Sequence, residues 1–505
     1  MELELRGITK RFPGVVANDD VNLTVRTGEV LALVGENGAG KSTLMNIMYG
    51  LYHADEGEII VDGTPQKFTS PGDAIAAGVG MVHQHFMLVP VFTVAENVVL
   101  GVEPTGFLGR IERDEAHRQV AEISTQYALE LDPEALVETL PVGIQQRIEI
   151  LKVLFRNAEI VVFDEPTAVL TPQEIEEFFN IVEALKSAGK GIVFITHKLK
   201  EALRIADRIS VLRRGKTVGS ANPDDIDEVQ LAEMMVGRPV QLVVEKEPVN
   251  PGPPTLTVED LRVITPEGRT VLDHVSFDVR AGEIVGIAGV QGNGQTELVE
   301  ALTGLRDSIS GTVKINDVDI TTATPREVHD SRIAHIPEDR QRSGLVGAFS
   351  VAENMVLTTY AAEPYSSGFL MNWPKARADA ADLVEQYDVR TPSIDTPAGN
   401  LSGGNQQKVI VARELSRELR AMIASQPTRG VDVGSIEYIH AQIVKARDAG
   451  VAVLVVSTEL DEVMALADRV VVMYRGRIVA DLARDETDHS EVGLYMAGAK
   501  EQQPA

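Results

Sequence analysis

Residues 35–43 read Gly35-Glu36-Asn37-Gly38-Ala39-Gly40-Lys41-Ser42-Thr43. Closely spaced glycines let main-chain N–H groups approach an anion. A lysine followed by a hydroxyl suits the β- and γ-phosphates of a nucleotide and a magnesium ion. The apolar run VLALV precedes this loop, and Leu44, Ile47 and Met48 follow at helical spacing, with Gly50 as the stop. Strand, Gly-rich turn and helix N-terminus together are what phosphate binding needs. A second group of residues could act on the same phosphates. IVVFDE ends an apolar run in Asp164 and Glu165. Asp164 would orient Mg2+ through its water shell, and Glu165 would polarise a water for in-line attack on a γ-phosphate. His197 follows another apolar run, GIVFIT, from which it can reach that phosphate.

The chain carries this set twice. GEVLALVGENGAGKST (28–43) matches GEIVGIAGVQGNGQTE (282–297), and TVAENVVL (93–100) matches SVAENMVL (350–357). LPVGIQQRIEI (140–150) matches LSGGNQQKVIV (401–411), and the DEPT and SQPT stretches share that spacing. Landmarks in one order with a slowly growing offset mean duplication, with a period far too long for a solenoid. The second copy keeps Gly289, Gly292, Gly294 and Thr296 but has Gln295 for the lysine. It has Ser425 and Gln426 for the two acids, Thr458 for the histidine and Glu338 for Gln84 of MVHQHF. Gln426 can hydrogen-bond a water but cannot take its proton.

Short apolar runs alternate with amphipathic segments in each half, which predicts parallel strands and covering helices, an α/β fold. PQEIEEFFNIVEALKSAG sets Ile175, Phe178, Phe179, Val182 and Leu185 at helical spacing, with Gly189 placed to end the helix. The run 238–255 holds five prolines. It reads as a stiff linker, giving domains over 1–240 and 256–497 joined by 241–255. The 505 residues carry a formal charge of −28 and no cysteine. The charge argues against a non-specific nucleic-acid binder, and the missing thiols exclude disulfides and cysteine-held zinc. MELELRG lacks the apolar core of a secretory signal, and no long uncharged apolar run predicts a membrane span.

These motifs resemble those of the ABC ATPases over nearly the whole chain. LSGGNQQKVIVAREL (401–415) is close to that family's LSGGQ signature and is more specific than the phosphate loop. The resemblance implies two tandem P-loop NTPase nucleotide-binding domains arranged head to tail. Each ATP is then sandwiched between one domain's phosphate loop and the other's signature. It also implies that Gln84 serves the metal and the reaction, that Phe12 stacks on the adenine, and that Asp432 joins Ser402, Gly403 and Gly404 at the ATP. In the second half Pro266 aligns with Phe12; in the first, Pro141-Val142-Gly143-Ile144 lacks the signature serine, and AVLT (168–171) lacks the aspartate. By that geometry every intact element falls in one sandwich and every defective one in the other. Random decay would scatter the losses, so one working site and one scaffold site are expected.

Among ABC ATPases, tandem halves with one defective site resemble the ATPases of bacterial simple-sugar importers. MVHQHFMLVPVFTVAENVVLG (81–101) and HIPEDRQRSGLVGAFSVAENMVL (335–357) are closer to the nucleoside branch than to the ribose and galactose systems. The resemblance implies ATP and Mg2+ as ligands, two integral-membrane permease subunits as partners, and an extracytoplasmic solute-binding protein working through them. The site would be the cytoplasmic face of the membrane. A tandem ABC ATPase acting on ribosomes is the reading of another class, but such proteins keep both sites intact and carry a long charged helical linker.

Overall fold

The computed structural model describes residues 1–500 apart from 84–85, 107–109, 168–169, 171, 241–245, 249, 307–308 and 368–369. The chain divides into two units, Met1–Val240 and Gln241–Ala505.

Among the described residues, the strands of the first unit are β1 (Glu2–Phe12), β2 (Val15–Arg26), β3 (Val30–Val34), β4 (Glu56–Val61), β5 (Thr64–Gln66), β6 (Val79–Val82), β7 (Ile160–Asp164), β8 (Gly191–Thr196), β9 (Arg208–Arg213) and β10 (Lys216–Ala221). Strands β2-β1-β4-β5 form an antiparallel sheet. The central sheet runs β10-β9-β3-β8-β7-β6, parallel except for the edge pair β9-β10. Strands β3 and β8 are buried along their whole length, as continuous apolar runs in a covered parallel sheet should be. The helix Pro172–Ser187 occupies the segment that the apolar spacing predicts. Gly189 follows at φ 82°, donating its N–H to the Lys186 carbonyl. Its apolar face enters an aromatic cluster: Phe163 on β7 meets Phe178 edge-on at 5.2 Å, and Phe178 and Phe179 both meet Phe194 on β8.

The second unit repeats this plan. Its strands are β11 (Pro254–Ile264), β12 (Thr270–Arg280), β13 (Ile284–Ala288), β14 (Ile309–Ile315), β15 (Val318–Asp319), β16 (Ile333–Ile336), β17 (Ser366–Ser367), β18 (Leu370–Met371), β19 (Ala421–Ser425), β20 (Ala452–Ser457), β21 (Arg469–Tyr474) and β22 (Arg477–Ala483). Its central sheet runs β16-β19-β20-β13-β21-β22, the order of the first unit, with the edge pair β21-β22 antiparallel. The aromatic cluster is gone: Ala424, Ile439, His440 and Val455 stand at the positions of Phe163, Phe178, Phe179 and Phe194.

The Pro-rich run does not stay a linker as far as residue 255. Pro254 and Thr255 open β11, and the chain is fastened to the second unit from residue 246. Lys246 Nζ donates to the carbonyls of Leu466 and Ala467 at 2.8 and 2.9 Å, and Arg447 donates to the Glu247 carbonyl at 2.8 Å. Lysine at the end of the helix Leu460–Leu466 answers carbonyls that have no partner within the helix. Among the described residues no helix is long and apolar enough to cross a membrane.

Candidate functional site

Strand register brings the first unit's chemical residues to one edge. Val34 lies opposite Thr196, and Asp164 opposite Ile195. The loop after β3, the acids at the end of β7 and the histidine after β8 therefore sit side by side at the carboxyl ends of parallel strands, the usual place for a ligand in such sheets.

The loop Gly35–Gly40 turns directly into the helix Lys41–Met48. Gly40 has φ 104°, and a Cβ there would stand 2.2 Å from the Ala17 carbonyl oxygen, so only glycine fits. Gly38 is also left-handed, at φ 80°. Lys41 is 6% exposed; its Nζ donates to the carbonyls of Gly35 at 2.6 Å and Glu36 at 3.1 Å. The amino group is thus curled over its own loop, on the side where phosphates would lie. Ser42 is exposed at the helix start with Thr43 beside it; Asn37 and Ala39 lie in the loop.

Glu165 Oε1 accepts a hydrogen bond from His197 Nδ1 at 3.0 Å, both side chains being 17% exposed. Glu165 sits at φ 47°, a left-handed conformation unfavourable for a side-chain-bearing residue. Burial alone would raise its pKa. The His197 hydrogen bond and charge, with Lys41 and Lys198, outweigh that and leave it lowered. Asp164 is shifted the other way: burial and the Glu165 charge raise it, and Lys41 offsets only part. A half-buried carboxylate short of positive charge, on the same edge as the Ser42 hydroxyl, is a hard-oxygen donor set that fits magnesium. Among the described residues no cluster of three or more His, Cys, Asp or Glu could hold a metal. The nucleotide's own phosphates would supply the remaining ligands, as is usual for magnesium. Gln84 lies outside the described residues.

Phe12 ends β1 opposite Val15 and is 36% exposed. Tyr52 meets it edge-on at 5.6 Å, and Lys10 Nζ stands 5.6 Å from the ring centroid. An exposed aromatic held by a second ring and a cation suits stacking on a base; the sequence reading missed Tyr52.

The second unit keeps the scaffold and changes the groups. Gly292 and Gly294 have φ 88° and 103°, matching Gly38 and Gly40. Gln295 Nε2 donates to the Gly289 carbonyl at 2.8 Å, the bond that Lys41 makes in the first unit, without the charge. Gln426 holds φ 48° and donates to Thr458 Oγ1 at 3.1 Å, in place of Glu165 and His197. Ser425 ends β19 where Asp164 ends β7. Thr296 Oγ1 donates to Glu338 at 3.3 Å, and Glu338 also pairs with Arg429.

The second unit's signature opens the helix Gly403–Leu415. Ser402 is its N-cap residue yet makes no cap bond; its exposed hydroxyl accepts from Asn405 at 2.9 Å. A Cβ at Gly404 would stand 2.2 Å from Ser435 Oγ. Asp432 caps the next helix, accepting the Ser435 N–H at 2.9 Å, so it has a structural task independent of any nucleotide. In the first unit Pro141 stands at the Ser402 position.

Fold and strand-end loops define a protein with two P-loop nucleotide-binding domains in tandem. The ABC transporter family model matches residues 18–168 and 272–429, more than half of the chain, and the chain belongs to that family. It is 50% identical over 501 residues to the guanosine import ATP-binding protein NupO of Bacillus subtilis (strain 168), covering 99% of this chain and 98% of the relative. It is 48% identical to the nucleoside import ATP-binding protein NupA of Lactococcus lactis subsp. cremoris, covering 98% of each. It is 45% identical to the glucose import ATP-binding protein TsgD13 of Haloferax volcanii, covering 98% of this chain and 96% of that one. Among solved structures, the archaeal ribosome recycling factor aABCE1, in complex with the stalk protein aP1, has a TM-score of 0.62. At 20% identity, over 98% of this chain and 92% of that one, this likeness speaks for the fold alone.

Proposed function

We propose that this chain is the ATP-hydrolysing subunit of a nucleoside importer, and that it works at one cleft. The first half supplies the phosphate loop Gly35–Thr43, Asp164, Glu165, His197 and Gln84, and the second supplies Ser402, Gly403, Gly404 and Asp432. The Glu165–His197 pair carries this reading, because the same strand ends of the second half hold Gln426 and Thr458 instead.

The loop N–H groups cradle the phosphates, and Lys41 leaves the Gly35 and Glu36 carbonyls to meet the β- and γ-phosphates. Ser42, Asp164 and Gln84 would hold Mg2+, which neutralises charge building on the transferred phosphoryl group. Glu165, kept ionised by His197, draws a proton from the attacking water. Phe12 stacks on the adenine. In the other cleft Gly289, Gly292, Gly294, Gln295 and Thr296 shape a loop without a cation, and with Ser425 and Gln426 it has no base. Removing one such group costs about 10²–10³ in rate, so a cleft lacking several turns over negligibly.

The work is coupled to two integral-membrane permease subunits at the cytoplasmic face, fed by an extracytoplasmic binding protein, with no nucleic acid involved. Nucleosides are favoured by the two import relatives at 50% and 48% identity. The glucose relative at 45% keeps a sugar as the second reading. Reconstitution with the permeases and binding protein tests both: labelled guanosine should accumulate in an ATP-dependent way, and accumulation of glucose or ribose without guanosine would refute the nucleoside assignment.

A further inference from the structure

Magnesium fits the first unit's loop because Asp164 brings a carboxylate short of positive charge. The second unit fails the same test. Ser425 is buried where Asp164 stands, and Gln426 is neutral where Glu165 is an acid. The acid that the second loop meets is Glu338, and both of its oxygens are engaged. Oε2 accepts from Thr296 Oγ1 at 3.3 Å, and Oε1 pairs with the Arg429 guanidinium. The hydroxyl that matches Ser42 is thus tied to a carboxylate, and the carboxylate to a cation that the chain itself supplies.

The first half cannot make this arrangement. Its aligned residues are Ala168 for Arg429 and Gln84 for Glu338, both outside the described residues. Arg429 is fixed by its main chain: its N–H donates to the Gln426 carbonyl at 3.1 Å, and its carbonyl accepts from Arg340 Nη1 at 2.7 Å. Its side chain is 52% exposed, and an exposed ion pair is weak, so the guanidinium is free to turn from Glu338 to a stronger anion. Arg340 adds a second positive charge. Burial lowers its pKa, Asp339 offsets part of this, and Arg429 lowers it further. Asp339 is itself engaged, its Oδ1 accepting the N–H groups of Gln341 and Arg342. Glu297 replaces Thr43 in the first turn of the helix Gln295–Leu302, where it suits the helix dipole. A carboxylate there also repels phosphate, which makes a nearby cation the more necessary.

We propose that the second phosphate loop holds its nucleotide without magnesium, with Arg429 as the resident counter-ion of the phosphates. The inference rests on the single-cleft reading above and concerns the loop of the second unit alone. A divalent cation brought to Thr296 would meet a carboxylate already paired and two guanidinium groups, whereas a planar guanidinium suits phosphate oxygens directly.

The test reads binding on the full chain, by equilibrium dialysis with labelled ATP and by paramagnetic resonance of Mn2+ in place of magnesium. Lys41→Ala weakens the first loop and leaves the second as the site measured. Its affinity for ATP should agree within about twofold between excess Mg2+ and EDTA. Adding Arg429→Ala should weaken that binding about ten- to hundredfold, the loss of a charge-assisted contact, and Arg429→Lys should weaken it less. The parent chain saturated with ATP should bind a single manganese ion. Two manganese ions per chain, loss of the Lys41→Ala chain's ATP binding in EDTA, or unchanged binding on adding Arg429→Ala would each overturn the proposal. Glu165→Gln in the assembled transporter separates the premises. If it leaves turnover intact, the single-cleft reading fails and this inference with it; if it silences turnover while two manganese ions bind, only this inference fails.

Discussion

The two halves hold the same backbone at the same strand ends and hang different chemistry on it. Glu165 at φ 47° and Gln426 at φ 48° share a strained conformation. The bonds that support it from behind are also repeated. Gln146 donates to the Pro166 carbonyl at 2.9 Å, and Gln407 to the Pro427 carbonyl at 2.8 Å. Thr167 donates to Glu201 at 2.6 Å, and Thr428 to Glu462 at 2.5 Å. Strain kept where no acid remains shows that the turn serves the scaffold as well as the reaction. The difference between the halves therefore lies in protonatable and charged groups, and it can be tested group by group.

The largest effect is expected at Glu165. Glu165→Gln gives the first half the side chain of the second, and loss of a general base costs about 10²–10⁴ in turnover. Gln426→Ala should leave most turnover by the assembled transporter in place. Equal effects of the two substitutions on phosphate release would break the comparison.

The cores differ too, and the next prediction separates them. Phe163 is fully buried against Phe178, whereas Ala424 fills the matching place. Phe163→Ala should cost about 3–5 kcal/mol through lost burial and a residual cavity. Hydrogen exchange on the full chain should show the β7 and β8 amides losing protection while those of β19 and β20 keep theirs. Loss in both sets would mean that the two cores are not independent.

Ser402→Ala sharpens the comparison from the other side. Ser402 makes no bond to its own helix N–H groups, so the substitution leaves the cap unchanged. Loss of one donor at the transferring charge predicts a fall of about 10²–10³ in turnover. Pro141→Ala, at the matching position of the first half, should change turnover little. A reversed ranking would pair the loops and signatures the other way.

Much of this was legible in the sequence because the chemistry sits in short contiguous runs. Gly35–Ser42, Asp164–Glu165 and Ser402–Gly404 each announce themselves by residue type, and the Phe178 helix by its period. What escaped depends on contacts between distant segments. Arg340 comes against Gly403, and Glu174 against Gly143, only through the fold. The linker was read to 255 because prolines were counted, while Lys246 binds carbonyls more than two hundred residues away.

The smallest effect concerns pH. Glu165 is held below its ordinary range although burial pushes it up, and His197 is the main opposing influence. A depressed carboxylate stabilises the fold above its unfolded pKa, and that stabilisation is lost as pH falls through the folded value. The same ionised form is the one that can accept a proton. In His197→Ala burial is left less opposed, so Glu165 should titrate higher. The acid limb of turnover should then move up by about one pH unit, the scale of one charged hydrogen bond. His197→Gln restores a donor without the charge and should shift the limb less. Thr458→Ala, beside a glutamine that does not titrate, should leave the profile unmoved. A limb that stays fixed in His197→Ala would remove Glu165 from the role of base, and with it the physical reason for calling the second half silent.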